Sequence, residues 1–300
     1  MNTAVYRADT RDGKIYFVKL RRGGFDQITV ALPQYLSTQR IPSIIAPMQT
    51  RSGKLWASLE SFKMILYPFI EGLDGYEVAL SDGQWRDFGP TLKDIHATHL
   101  PQELSSLIPR EEYNPHWREL AKAFQAQVEV TAFDEPVAVR FAAFMREKRG
   151  EISRLIRRAD ELAEALKARP LVLVLCHADI HAGNLHISPD GKLYLVDWDN
   201  PIYAPKERDL AMIGGSAVWS SLRQINLFYQ GYGDAQVDLA ALAYYRCERA
   251  ITDIAEFCRQ LLLTDEGGQD REQSYGYFTS SFLPGHEIDL ALKTDMRLGD

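Results

Sequence analysis

Three oxygen-bearing side chains set the first expectation about this chain. HADIHAGN at residues 177–184 places Asp179 five residues before Asn184, and VDWD at 196–199 supplies Asp197 thirteen residues later. Asp179 can take a proton from an attacking hydroxyl. The Asn184 carbonyl and the Asp197 carboxylate are hard oxygen donors of the kind Mg²⁺ prefers. A base beside a divalent-cation site is what phosphoryl transfer from a nucleoside triphosphate such as ATP requires, because that reaction depends on positioning and charge neutralisation.

Such residues work only if the chain brings them together. LVLVLC at 171–176 is an apolar run with β-branched Val172 and Val174, which predicts a short buried strand ending at His177. Downstream, LHIS and KLYLV (192–196) flank Pro189-Asp190-Gly191, a turn signal between two runs of strand formers. The hairpin so predicted returns Asp197 to the side of Asn184. At the other end of the chain, TAVYRA, the turn Arg11-Asp12-Gly13-Lys14 and IYFVKL predict a second hairpin. There Lys19 shares a strand face with Ile15 and Phe17, so its ammonium emerges from an apolar surface, suited to nucleotide phosphates. The plainer alternative is a strand-end lysine reaching for water. MILYPFIEG at 64–72 reads either as a linker whose backbone would bond adenine or as core strand.

The rest of the chain reads as helical. Ser81 with Gln84 forms a capping box, and Trp85, Phe88, Leu92 and Ile95 recur at helical spacing before Pro101. His96 and His99 are neighbours on that helix, with structural or surface roles. Further helices are expected over 115–128, over 138–168 with Phe141, Phe144, Ile152, Leu155, Ile156 and Leu162 on its apolar side, and over 239–263. On the last, Asp253 and Glu256 could meet a cationic ligand, or be balanced by Arg246, Arg249 and Arg259.

At 300 residues the chain has room for one large or two moderate domains, and 46% hydrophobic with 25% charged residues is an ordinary globular composition. Forty-one acidic against 34 basic residues give a net charge of −7, which disfavours a nucleic-acid partner and suits a cationic small molecule. Cys176, Cys247 and Cys258 are odd in number and lack C-x-x-C spacing, so buried, reduced thiols are expected. No apolar run is long enough to span a membrane and the N-terminus is no signal peptide, which makes the cytoplasm the default location.

Taken together, HADIHAGN, VDWD and the strand lysine resemble the aminoglycoside phosphotransferase family, from the first hairpin to about residue 263. YPFIEG, CHADIHAGN, VDWDNPIYAPKERDLAMIGG and YYRCERAITDIAEFC look most like its spectinomycin phosphotransferase branch. The resemblance implies an α+β, bilobal protein-kinase-like fold: an N-terminal nucleotide-binding lobe over 1–70, built on a small antiparallel sheet, and a mainly helical catalytic and substrate-binding lobe over 71–300. It implies Asp179 as catalytic base, Lys19 as the phosphate-binding lysine, Asn184 and Asp197 as magnesium ligands, and ATP with Mg²⁺ as cofactors. The substrate would be a hydroxyl-bearing small molecule, an aminocyclitol antibiotic such as spectinomycin or else an amino-alcohol or sugar metabolite. His177 would shape the loop through hydrogen bonds, His181 and His186 would lie near the site or in local packing, Asp199 would organise metal or substrate or be structural, and Asp209 would bond nearby backbone.

Two departures from the family accompany this expectation. MNTAVYRA looks like the family's second strand, so the first strand and its glycine-rich phosphate loop are expected to be missing. In addition, residues 25–40 offer only Asp26 as an acidic partner for Lys19. Two rival functions follow from the same residues. His177, Asp179, His181, Asp197 and Asp199 could hold two transition-metal ions in a phosphoesterase, although that leaves Lys19 and Asn184 without a role. The chain could also be a nucleotide-binding remnant without turnover.

Overall fold

The computed structural model describes residues 3–39, 41, 43–264 and 267–296. Along the chain come β1 (Thr3–Asp9), β2 (Ile15–Arg22), α1 (Ile28–Thr38), β3 (Ala57–Leu59), β4 (Phe62–Pro68) and β5 (Leu73–Asp74). After them come α2 (Asp82–His96), α3 (Gln102–Ser105), α4 (His116–Val130), α5 (Pro136–Glu147) and α6 (Arg149–Lys167). The site-bearing strands β6 (Val174–Cys176), β7 (Leu185–Ile187), β8 (Leu193–Leu195) and β9 (Ile202–Ala204) follow. The chain closes with α7 (Glu207–Leu210), α8 (Leu222–Tyr232), α9 (Leu239–Leu262), α10 (Gln269–Ser280) and α11 (Glu287–Met296).

Contacts divide the chain into two compact units. One contains Met1–Arg110, Leu173–Asp209 and Asn226–Ala235; the other contains Glu111–Val172, Leu210–Ile225 and Gln236–Asp300. In the first, an antiparallel sheet runs in the order β1-β2-β4-β3. Lys19 stands opposite Val5 on β1 and Ile65 on β4, in the middle strand of three. A strand flanked on both sides is held in register by two ladders, which fixes where a lysine on it can point. The capping box at the start of α2 is present: Ser81 Oγ accepts from the Gln84 N–H at 3.3 Å, and Gln84 Oε1 accepts from the Ser81 N–H at 2.8 Å. Trp85, Phe88, Leu92 and Ile95 are all buried. A Cβ at Gly89 would lie 2.3 Å from Phe228 O, and one at Gly231 2.1 Å from Arg86 O, so α2 and the end of α8 meet backbone to backbone.

The second unit is helical. Cys247, Ile251, Ile254, Cys258 and Leu261 of α9 join Phe124 of α4, Phe141 of α5, Leu155 of α6, Phe278 of α10 and Ile288 of α11 in one core. Each fully buried side chain of this size contributes about 1.5–3 kcal/mol to folding. Through the same unit runs a polar network on Arg118: its Nε donates to Asp160 (2.7 Å), Nη1 to Glu248 (2.6 Å) and the Tyr244 hydroxyl (3.1 Å), and Nη2 to Tyr113 O (3.0 Å).

Three expectations change. The single helix over 138–168 is two, broken at Lys148, and the turn there lets the apolar faces of both α5 and α6 reach the one core. The strand expected over 171–176 spans only 174–176, because Val172 is exposed and pairing with β9 begins at Val174. His99 lies beyond the end of α2 rather than on it. Cys176, Cys247 and Cys258 are all buried, and none of them is in a disulfide. Among the described residues no helix is long and apolar enough to cross a membrane.

Candidate active site

The loop after β6 is fixed from behind. Asp209, fully buried, accepts the His177 N–H at 2.8 Å on one carboxylate oxygen and the Ala178 N–H at 2.7 Å on the other, and His96 Nε2 lies 3.1 Å away. Burial alone would raise its pKa, but His96 and the backbone donors outweigh that and hold the carboxyl below its usual range. Between those anchors Ala178 adopts φ +70°, a left-handed conformation that costs a non-glycine residue about 1–3 kcal/mol and persists only where its surroundings enforce it. His177 completes the brace. Its Nδ1 accepts the Asp179 N–H at 3.3 Å, which leaves Nε2–H to donate to Val196 O at 2.9 Å. Burial pushes the His177 pKa down, so the neutral ring that this pattern needs is also the favoured one.

Asp179 and Asn184 meet across the next turn. Asn184 Nδ2 donates to Asp179 O at 2.8 Å and approaches Asp179 Oδ2 at 3.3 Å. With the amide nitrogen bonded to Asp179, the carbonyl oxygen is the hard donor that the Asn184 side chain has to offer a metal. His181 caps the short 3₁₀ turn Ala182–Asn184 by accepting the Gly183 N–H at Nδ1 (3.1 Å), and its Nε2 lies 3.7 Å from Asp179 Oδ2.

The β7–β8 hairpin then delivers the second acidic element. Leu185 pairs with Leu195, and the Val196 N–H donates to Asn184 O at 3.0 Å, so Asp197 emerges beside Asn184. Asp197 has φ +64°, the second strained non-glycine residue of the site. Trp198 turns the other way into the core, where its ring meets His177 at 4.6 Å and its indole N–H bonds Leu195 O. The acids on either side of it face Lys19: Nζ is 2.8 Å from Asp197 Oδ1 and 2.9 Å from Asp199 Oδ2. Arg21, two residues along the same strand face, reaches Asp199 Oδ1 at 3.1 Å. Partial burial raises the Asp197 pKa, but the Lys19 charge and hydrogen bond prevail and lower it.

Lys19, Asn184, Asp197 and Asp199 line one cavity of about 590 Å³, whose walls include Val5, Phe17, Ile45, Tyr67 and Phe69. An apolar slot that ends in charged groups can hold a heterocycle with a polyanionic tail. The segment after β4 borders it, and there His186 Nε2 bonds Ile70 O at 3.0 Å. The donor set suits magnesium: a carboxylate and an amide carbonyl, both hard oxygens, line the same space, with no soft ligand among the cavity's lining residues.

The structure therefore brings Lys19, Asn184 and Asp197 into one cavity; Asp179 is not among the residues that line it but is bonded to Asn184, which is. Asp253 and Glu256 are paired within α9 to Arg249 (3.1 Å) and Arg259 (3.0 Å). Arg21 was not anticipated, although its position two residues after Lys19 in an alternating strand was a usable signal.

A model of the phosphotransferase enzyme family matches residues 2–274. A crystal structure of spectinomycin phosphotransferase APH(9)-Ia in complex with ADP and spectinomycin is 37% identical, with a TM-score of 0.91, covering 98% of this chain and 90% of that one. Protein StrN of Streptomyces griseus is 22% identical over 249 residues, 80% of this chain and 72% of that protein. An aminoglycoside phosphotransferase from Alicyclobacillus acidocaldarius, 14% identical with a TM-score of 0.58 over 99% of this chain and 90% of that one, shares the fold.

Proposed function

The chain belongs to the phosphotransferase enzyme family, and is a small-molecule kinase of protein-kinase-like α+β fold; from that premise we propose that it transfers the γ-phosphate of ATP to a hydroxyl of an aminocyclitol antibiotic such as spectinomycin. The observation that carries this reading is the cavity that holds Lys19, Asn184 and Asp197 together, with Asp179 bonded to Asn184, in a chain 37% identical to a spectinomycin phosphotransferase.

In this reading residues 1–70 form the nucleotide lobe and 71–300 the catalytic and substrate lobe. The adenine enters the slot between Phe17, Ile45 and the Tyr67–Ile70 segment, and Lys19 pairs with the phosphates. Asp179 orients the acceptor hydroxyl and takes its proton as the new P–O bond forms and the bond from the γ-phosphorus to the bridging oxygen breaks, releasing ADP. Asn184 holds the Asp179 carboxylate in place and, with Asp197, would hold Mg²⁺, which when bound supplies neutralising charge for the phosphate oxygens. A net charge of −7 favours approach of a cationic acceptor. Lys19 and Asn184, which a two-metal phosphoesterase would not need, favour the kinase over that alternative.

The test is a screen of the purified chain with ATP and Mg²⁺ against aminocyclitols, aminoglycosides, amino alcohols and sugars, read by mass spectrometry. ATP-dependent formation of a mono-phosphorylated aminocyclitol is expected. Phosphorylation of an amino alcohol or sugar alone would reassign the substrate, and metal-dependent phosphate release without any acceptor would sink the kinase reading.

A further inference from the structure

A lysine that must meet phosphates needs an acid to hold it, because four rotatable bonds otherwise let the ammonium wander. In protein kinases that acid is a glutamate on the helix after the lysine strand. Here the corresponding helix, α1, reads ITVALPQYLST and carries no acidic residue. Asp26, the nearest candidate, is used locally: its Oδ1 accepts the Ile28 N–H at 3.0 Å. Lys19 instead meets two carboxylates from the segment between β8 and β9, and the two are not equivalent. Asp199 spends each oxygen on a different cation, Oδ2 on Lys19 and Oδ1 on Arg21, and its side chain is 23% exposed. Asp197 contacts Lys19 through Oδ1 and is 46% exposed, in the cavity that Asn184 also lines.

We propose that Asp199, steadied by Arg21, is the positioning residue for Lys19, standing in for the absent helix acid, and that this leaves Asp197 free to exchange Lys19 for a divalent cation. The inference rests on the kinase reading for the role of Lys19, but it makes a claim about Lys19 itself that turnover is not needed to check. Arg21 has a matching part. Its guanidinium also lies 3.4 Å from Thr29 Oγ1 of α1, so the helix takes part in the arrangement through a hydroxyl and an arginine instead of a carboxylate. Without Asp199, Lys19 would be left with Asp197 as its carboxylate partner here, and lysine and metal would compete for that group.

The experiment compares wild type with Asp199→Asn, Asp199→Glu and Arg21→Ala in the full chain. The first readout is the rate at which an amine-reactive acylating reagent labels Lys19, followed by peptide mass spectrometry, with and without ADP. The second is ADP affinity measured by titration across a range of Mg²⁺ concentrations. Asp199→Asn should raise the Lys19 labelling rate and shift the Mg²⁺ dependence of ADP binding to about tenfold higher concentration, the scale of one lost charge-assisted contact. Asp199→Glu should recover much of both, and Arg21→Ala should fall between. Wild-type labelling and wild-type magnesium dependence in Asp199→Asn would overturn the proposal. So would a loss of thermal stability that fully accounts for both changes and is not relieved by Asp199→Glu. Failure of the kinase reading looks different: the variants would separate in labelling and ADP binding while wild type phosphorylated no acceptor.

Discussion

Two charge clusters in this molecule use the same residue types to opposite ends. Around Arg118, in the helical unit, one cation spreads its three nitrogens over four partners: Asp160 on Nε, Glu248 and a tyrosine hydroxyl on Nη1, and a backbone carbonyl on Nη2. Around Lys19, a single ammonium is shared by two carboxylates, one of them nearly half exposed and on a backbone with φ +64°. The first arrangement has one good state and so specifies structure. The second has a partner to spare, so an incoming ligand can exchange with it at small cost. Buried ion pairs contribute little net stability when intact but are costly to break from one side. The contrast predicts that damage at the site affects turnover and damage at Arg118 affects folding.

The strongest test of that contrast is Asp179→Ala. Loss of a general base should lower kcat about 10²- to 10⁴-fold. ADP affinity should stay within about twofold, and the denaturation midpoint should be unchanged, since Asp179 is part-buried and its loss strands no buried charge. A kcat near wild type would remove Asp179 from the chemistry. Next in size is Arg118→Ala, which takes from Glu248, 5% exposed, the guanidinium it meets at 2.6 Å. A loss of about 3–5 kcal/mol of unfolding free energy is expected by denaturant titration. Whatever folded protein remains should show a KM for ATP near wild type. A wild-type midpoint would mean the network is dispensable and the contrast false.

Asp209→Asn blurs the two categories and should give an intermediate result. The change replaces one acceptor oxygen by an NH₂ group facing the His177 and Ala178 N–H groups, so one buried donor loses its partner. About 1–3 kcal/mol of stability should go, together with some turnover, because the strained Ala178 turn aims Asp179. A stability loss with kcat unchanged would show that the loop keeps its shape without this brace.

How much of this was readable in advance depended on distance along the chain. Asp179, Asn184 and Asp197 lie within one loop and hairpin, where spacing and the Pro189-Asp190-Gly191 turn determine the outcome locally. The α2 capping box and its buried face were legible for the same reason. What sequence could not supply were partners set by tertiary packing: β6 pairs with β9 instead of extending back to Leu171. Helix periodicity continued through Lys148, where the chain turns so that α5 and α6 share a core. Asp199 was visible as an acid but not as a bridge, because its two cations sit on β2, 178 and 180 residues earlier. Lys19 and Arg21 shared a strand face on paper, yet only the folded register shows what that face meets.

The smallest expected effect separates the two regions by pH. His177 is buried as a neutral ring and its pKa is lowered in the fold. In the unfolded chain it would titrate near about 6.5. Below that value the unfolded state therefore binds a proton that the native state resists, so stability should fall as pH drops, by at most about 1.4 kcal/mol per pH unit for one group. Asp209, with its pKa depressed, adds a similar loss only at lower pH, as it falls through and below the ordinary carboxylate range. Denaturant titrations at about pH 7.5 and about pH 5.5 should thus give a lower unfolding free energy at the acid end. His177→Gln, even if less stable overall, should flatten that difference. A pH dependence equal in wild type and His177→Gln would assign the titration to another group and leave the neutral ring of the catalytic loop without support.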